Sequence, residues 1–123
     1  MPNRTSQPTI DRPTSAQVAR FDLVSPMLEA AHKEIGDLSK KKPDGPLNAL
    51  KVRHINKLLK EVRDALAGDP SVEFLDLLDE EQLPLNSDAV LILAQYKAAA
   101  SQFKSRHFGW DGDEHRWQVR DDH

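Results

Sequence analysis

The residue types that do chemistry are present but scattered. Five histidines stand at 32, 54, 107, 115 and 123. No two are four residues apart, the spacing that sets two imidazoles on one helical face as metal ligands. There is no cysteine, so disulfides, thiolate metal sites and a cysteine nucleophile are excluded. Asp79, Glu80 and Glu81 form a carboxylate run with no basic or histidine neighbour in sequence, the pattern of a solvated acidic face. Asp111-Gly112-Asp113-Glu114-His115 opens like a calcium loop, but such a loop needs glycine at its sixth position and a bidentate glutamate at its twelfth. Arg116 and Asp122 stand there instead. No serine sits in the strained-turn motif of a serine nucleophile. The expectation is a non-catalytic protein with no metal set and no cofactor.

Arg116 and His123, with six residues between them, are similar in spacing to the arginine–histidine pair of the all-α HEPN ribonucleases. The resemblance covers two residues of a polar terminal stretch, and no role is carried over from it.

Charge carries more information than any motif. Net charge is −3, but the signs are segregated. Residues 32–63 hold nine Lys/Arg against four acids, 64–88 hold eight acids and no base, and 89–110 hold three bases and no acid. Such blocks read as neighbouring solvated helices that attract one another, or as a polar partner surface. Lys40, Lys41 and Lys42, followed by Lys51, Arg53, Lys57, Lys60 and Arg63, are the candidate anion- or nucleic-acid-binding set. No aromatic interleaves them and no helix-turn-helix signature is present. Candidate partner-binding residues are the small side chains Ala94, Ala98 and Ser101, continued by Ser105, together with Trp110 and Trp117. Tryptophan's large apolar face favours burial, on the chain's own body or in a partner.

These residues are positioned by helices. Thr14 and Gln17 have capping-box spacing. Phe21, Val24, Leu28, Ala31, Ile35 and Leu38 follow at alternating steps of three and four, one helical face. The stripe continues in phase through Pro26, so the preferred reading is one kinked helix over 15–41 rather than two helices split at Ser25-Pro26. Lys42-Pro43-Asp44-Gly45-Pro46 is a turn, and Pro46 is read as the first residue of a second helix ending at Gly68. Its stripe is Val52, Ile55, Leu59, Val62 and Leu66. Asp69-Pro70 starts a short third helix to about 82. Asn86 is expected to cap a fourth over 87–107, with Leu85 and Val90 as its hydrophobic staple. Its stripe is Ala89, Ile92, Tyr96, Ala99 and Phe103. Leu28, Ile35, Ile55, Leu59, Val62, Ile92 and Phe103 are expected to form one core. No strand pattern is visible.

The expected architecture is all-α: a four-helix bundle-like domain over 14–109 built on a long antiparallel helical hairpin. A flexible arm over 1–13 precedes it and a polar tail over 110–123 follows. The first residues are too polar for a secretory signal, and the longest apolar run, Ala89 to Ala94, is too short to span a bilayer. The expectations for function are a cytoplasmic binding or regulatory module that acts on another protein or on itself, a homo-oligomer with a dimer favoured. The alternative is a nucleic-acid-binding accessory protein using the basic hairpin tip and second helix.

Overall fold

The computed structural model describes residues 12–121. Residues 1–11 of the expected arm, and His123, lie outside them. The chain is mainly helical: α1 (Ser15–Lys41), α2 (Ala49–Ala65), a 3-10 turn (Pro70–Phe74), α3 (Asn86–His107), and two short strands, β1 (Phe108–Trp110) and β2 (His115–Trp117). α1 is the central helix. It packs on α2 along one side and α3 along the other, while α2 and α3 scarcely meet.

α1 begins where the capping box places it. Thr14 Oγ1 accepts from the Gln17 N–H at 3.1 Å, and the Thr14 N–H donates to Gln17 Oε1 at 3.0 Å. The same amide's Nε2 donates to the carbonyls of Ala65 and Ala67, so it also closes the C-terminal end of α2, where orphan carbonyls need partners. α1 runs through Pro26 as one helix. Pro26 and Asp22, whose carbonyl the proline cannot bond, are both exposed, so the break in the ladder falls on the solvent side. Phe21, Val24, Leu28 and Ile35 are buried in register on the other side.

The second and last helices start differently from the sequence expectation. α2 is capped by Asn48, whose side chain accepts from the Lys51 N–H at 2.8 Å. Pro46 lies outside it, in an extended bridge to Leu85. Around that bridge the Leu47 N–H donates to the Pro84 carbonyl, and the Asn86 N–H to the Gly45 carbonyl. Asn86 is therefore not the cap of α3. It lies inside the first turn, buried, with its amide donating to the Lys42 carbonyl at 2.9 Å. Leu85 takes the cap position without a side-chain bond.

The expected helix over 70–82 is absent. Asp69 does cap, accepting from the Ser71 N–H, but only the five-residue 3-10 turn follows. The described residues hold three α-helices, one fewer than the four expected. The reason lies in where the backbone polar groups of 75–82 find partners. Asn56 on α2 accepts from the Leu78 N–H and donates to the Leu78 carbonyl, both at 2.8 Å. Arg63 donates to the Leu75 carbonyl, and the Tyr96 hydroxyl on α3 donates to that of Asp76. Asp79 accepts from the N–H groups of Glu81 and Gln82. Side chains of α2 and α3 thus replace helical bonds. The non-helical segment lets Leu75 and Leu78 join the core.

Leu28, Ile35, Ile55, Leu59, Val62 and Phe103 are core residues as expected. Ile92 sits half-buried at its edge, while Leu93 and Tyr96 are fully enclosed. The terminal stretch is structured, against the expectation of no strand. β1 and β2 pair antiparallel with Phe108 opposite Trp117 and Trp110 opposite His115. Trp117 lies 5.1 Å from Phe21 and 5.6 Å from Phe108, ring centre to ring centre, both edge-to-face. Arg120 then bonds back to the carbonyls of Arg12 and Pro13, and the Ser15 N–H donates to Asp121. Both described ends of the chain are tied to each other.

Candidate functional site

The face of the α1–α2 hairpin carries an open groove of about 410 Å³. Its floor is apolar: Met27, Ala31, Ile35, Ile55 and Leu58. Glu34, Lys51 and His54 stand around it. The antiparallel register brings these positions level, and the Arg20–Glu61 ion pair ties the hairpin near one end. Met27 is 54% exposed and Leu23, one turn earlier, is 70% exposed. Two large apolar side chains on one helical face in water are a surface feature that marks an interaction site when contiguous with a groove. Among the described residues neither Glu34 nor Lys51 has an ion-pair partner.

The basic candidates divide. Lys40, Lys41 and Lys42 are exposed at the hairpin tip. Arg53, Lys57 and Lys60 are exposed along α2, at spacings of four and three that keep them on one face. Lys51 belongs to the groove, and Arg63 is engaged with Leu75. The acidic segment lies against the same helix, since Asn56 also donates to Glu80. The sequence blocks of opposite sign are therefore neighbours within one chain.

No family model, curated protein or solved structure matches this chain. The reading of function therefore rests on the surface itself.

The small-residue stripe of α3 does not form one seam. Ala94 is half-buried, and Ala98 and Ser101 are exposed. Ala98 borders a crevice with Phe74 and Leu75, whereas Ser101 borders another with Phe21 and Leu28 of α1. The tryptophans separate too. Trp117 is docked on the chain's own core. Trp110 is 62% exposed, with His115 edge-on against it at 5.3 Å.

Asp79, Asp111 and Tyr96 have structural partners. Asp79 holds a turn, and the N–H groups of Gln82 and Glu81 that it accepts lower its carboxyl below the usual range. Asp111 holds the hairpin turn in the same way, its carboxyl lowered by the N–H groups of Glu114 and Asp113 and by Arg116. Burial raises the Tyr96 hydroxyl above its ordinary value, with Arg63 opposing the shift. Among the described residues no three His, Asp or Glu side chains come together as a metal set, and no helix is long and apolar enough to cross a membrane.

Sequence reasoning missed the groove. Leu23 and Met27 lie off the regular stripe of α1, and two apolar residues on its polar side were the available signal. His54 and Leu58 face the groove only because α2 starts at Ala49 and lies level with that part of α1.

Proposed function

We propose that the protein is a non-catalytic helical binding module, and that the α1–α2 groove holds a second copy of the same chain. The observation that supports this reading most directly is the open apolar floor of the groove, with exposed Met27 and Leu23 beside it. A two-fold axis running along the hairpin lays α1 of each copy over α2 of the other. That brings Glu34 of one copy to Lys51 of its partner, twice, and completes a four-helix bundle from two hairpins. The 17 residues of α2 span about 25 Å, and two helices side by side are about 20 Å wide. That is about 500 Å² from each copy and about 1,000 Å² in all, a small interface below the roughly 1,200–2,000 Å² of a standard one. Two-fold dimers are also the commonest closed assemblies.

Charge reversal tests the pairing. Glu34→Lys alone and Lys51→Glu alone place like charges together and weaken self-association. The double variant restores the opposite pair and recovers it. If the double variant associates no better than either single one, the arrangement is wrong.

A second reading, nucleic-acid binding through the tip, has one observation in its favour. Lys40, Lys41, Lys42, Arg53, Lys57 and Lys60 are all exposed, and none has an ion-pair partner among the described residues. The acidic segment against α2 lowers the local positive potential, which places this reading second. Affinity for a DNA or RNA duplex that falls steeply with rising salt supports it.

A further inference from the structure

A separate pocket of about 330 Å³ lies at the end of the fold away from the Lys40–Lys42 tip. Arg12, Arg106 and Arg120 line it, from three parts of the chain that are distant in sequence. The turn after α2, through Gly68 and Asp69, forms another wall. Among the described lining residues one is a carboxylate, Asp69, whose side chain is 2% exposed and pairs with Arg106, and His107 lines the pocket as well. Arg120 donates to the Arg12 carbonyl through Nε, a neutral partner, and neither Arg12 nor Arg120 has an ion pair among the described residues. Among the described residues the lining thus holds three arginines and one carboxylate, an excess of two positive charges, on a chain whose net charge is −3. Like charges lining one pocket repel, and an anion among them relieves that repulsion. Guanidinium forks match the geometry of phosphate oxygens, and each charge-assisted bond is roughly twice as strong as a neutral one.

We propose that this pocket binds the dianionic phosphate group of a small ligand, either free phosphate or a phosphomonoester. The excess of two positive charges matches that group better than a single carboxylate. The site shares no residue with the α1–α2 groove, so it stands or falls independently of self-association.

The test is a titration of the full-length protein, followed by amide resonances, with inorganic phosphate and separately with glycerol phosphate. Ionic strength is held constant with chloride. The expected result is a saturable shift at Gly68, Asp69 and Arg120 with at least one of the two. The one that binds more tightly identifies the source. Arg12→Gln keeps the carbonyl that Arg120 bonds, so it leaves the fold intact, and it is expected to weaken binding roughly tenfold. Lys33→Gln, an exposed residue near the other end of α1 that lines neither the pocket nor the groove, is expected to leave binding unchanged. The chain tested keeps Asp11 and Asp122, which adjoin these regions in sequence. An internal carboxylate that occupied the pocket would show as no binding. No saturable shift with either ligand, an equal response to chloride, or undiminished binding by Arg12→Gln overturns the proposal.

Discussion

Asn56→Ala removes one side chain and orphans two backbone groups. In the folded chain Asn56 is 2% exposed, and its side chain is the partner of both the Leu78 N–H and the Leu78 carbonyl. Alanine cannot reach either. A buried polar group that loses its partner costs about 1–3 kcal/mol, so the two together cost roughly 2–6 kcal/mol. A domain of this size has about 5–15 kcal/mol in total, so the loss is a large fraction of stability. With a urea dependence of about 1–3 kcal/mol per molar, the unfolding midpoint falls by roughly 2 M. Asn56→Asp does not rescue it. The acceptor for Leu78 is kept, but the donor is lost and a second carboxylate arrives beside Glu80. Hydrogen exchange locates the effect, because the Leu78 amide loses protection before the amides of α1 do. A midpoint within about 0.3 M of the parent, or unchanged protection at Leu78, refutes the argument that Asn56 is what holds this segment out of a helix.

Other consequences follow from particular residues. Gly68 has φ of +88°, where a side chain costs about 1–2 kcal/mol; Gly68→Ala lowers the thermal midpoint although its Cβ meets no neighbour. Trp117→Ala, at a half-buried site, costs roughly 2 kcal/mol, about half the fully buried value, while Trp110→Ala leaves the melting curve unchanged. The Asp111 carboxyl is lowered in the folded hairpin, so its contribution is present above the ordinary aspartate range and is lost as pH falls through the lowered value. An acid titration followed at the Asp113 and Glu114 amides shows the hairpin turn loosening at low pH, and Asp111→Asn removes that transition.

The parts of the fold that repeat were legible in the sequence. The 3–4 stripe of α1 continues unbroken across Pro26, and the Thr14–Gln17 box marks its start, so one long helix could be read directly. The segment after Asp69 could not. Val72, Leu75 and Leu78 recur every three residues, which suits a helix as well as the extended path they take. What decides between them is Asn56, Arg63 and Tyr96, which lie up to 22 residues away in sequence. The strands are three residues each, too short for alternation to register. Pro46 had the chemistry of a first helical residue, but its neighbours bond the stretch before α3 instead. The groove is a property of two helices lying level, and no single stripe encodes it.

The central claim is that the α1–α2 groove is covered by a second copy, and sedimentation equilibrium at micromolar concentration tests it most directly. Met27 is more than half exposed, so Met27→Glu puts a charge into the interface without disturbing the core. The account predicts a parent protein of twice the 13.9 kDa chain mass, and a Met27→Glu variant at the chain mass with an unchanged helical signal. A parent protein that sediments as a single 13.9 kDa species across the concentration range contradicts it.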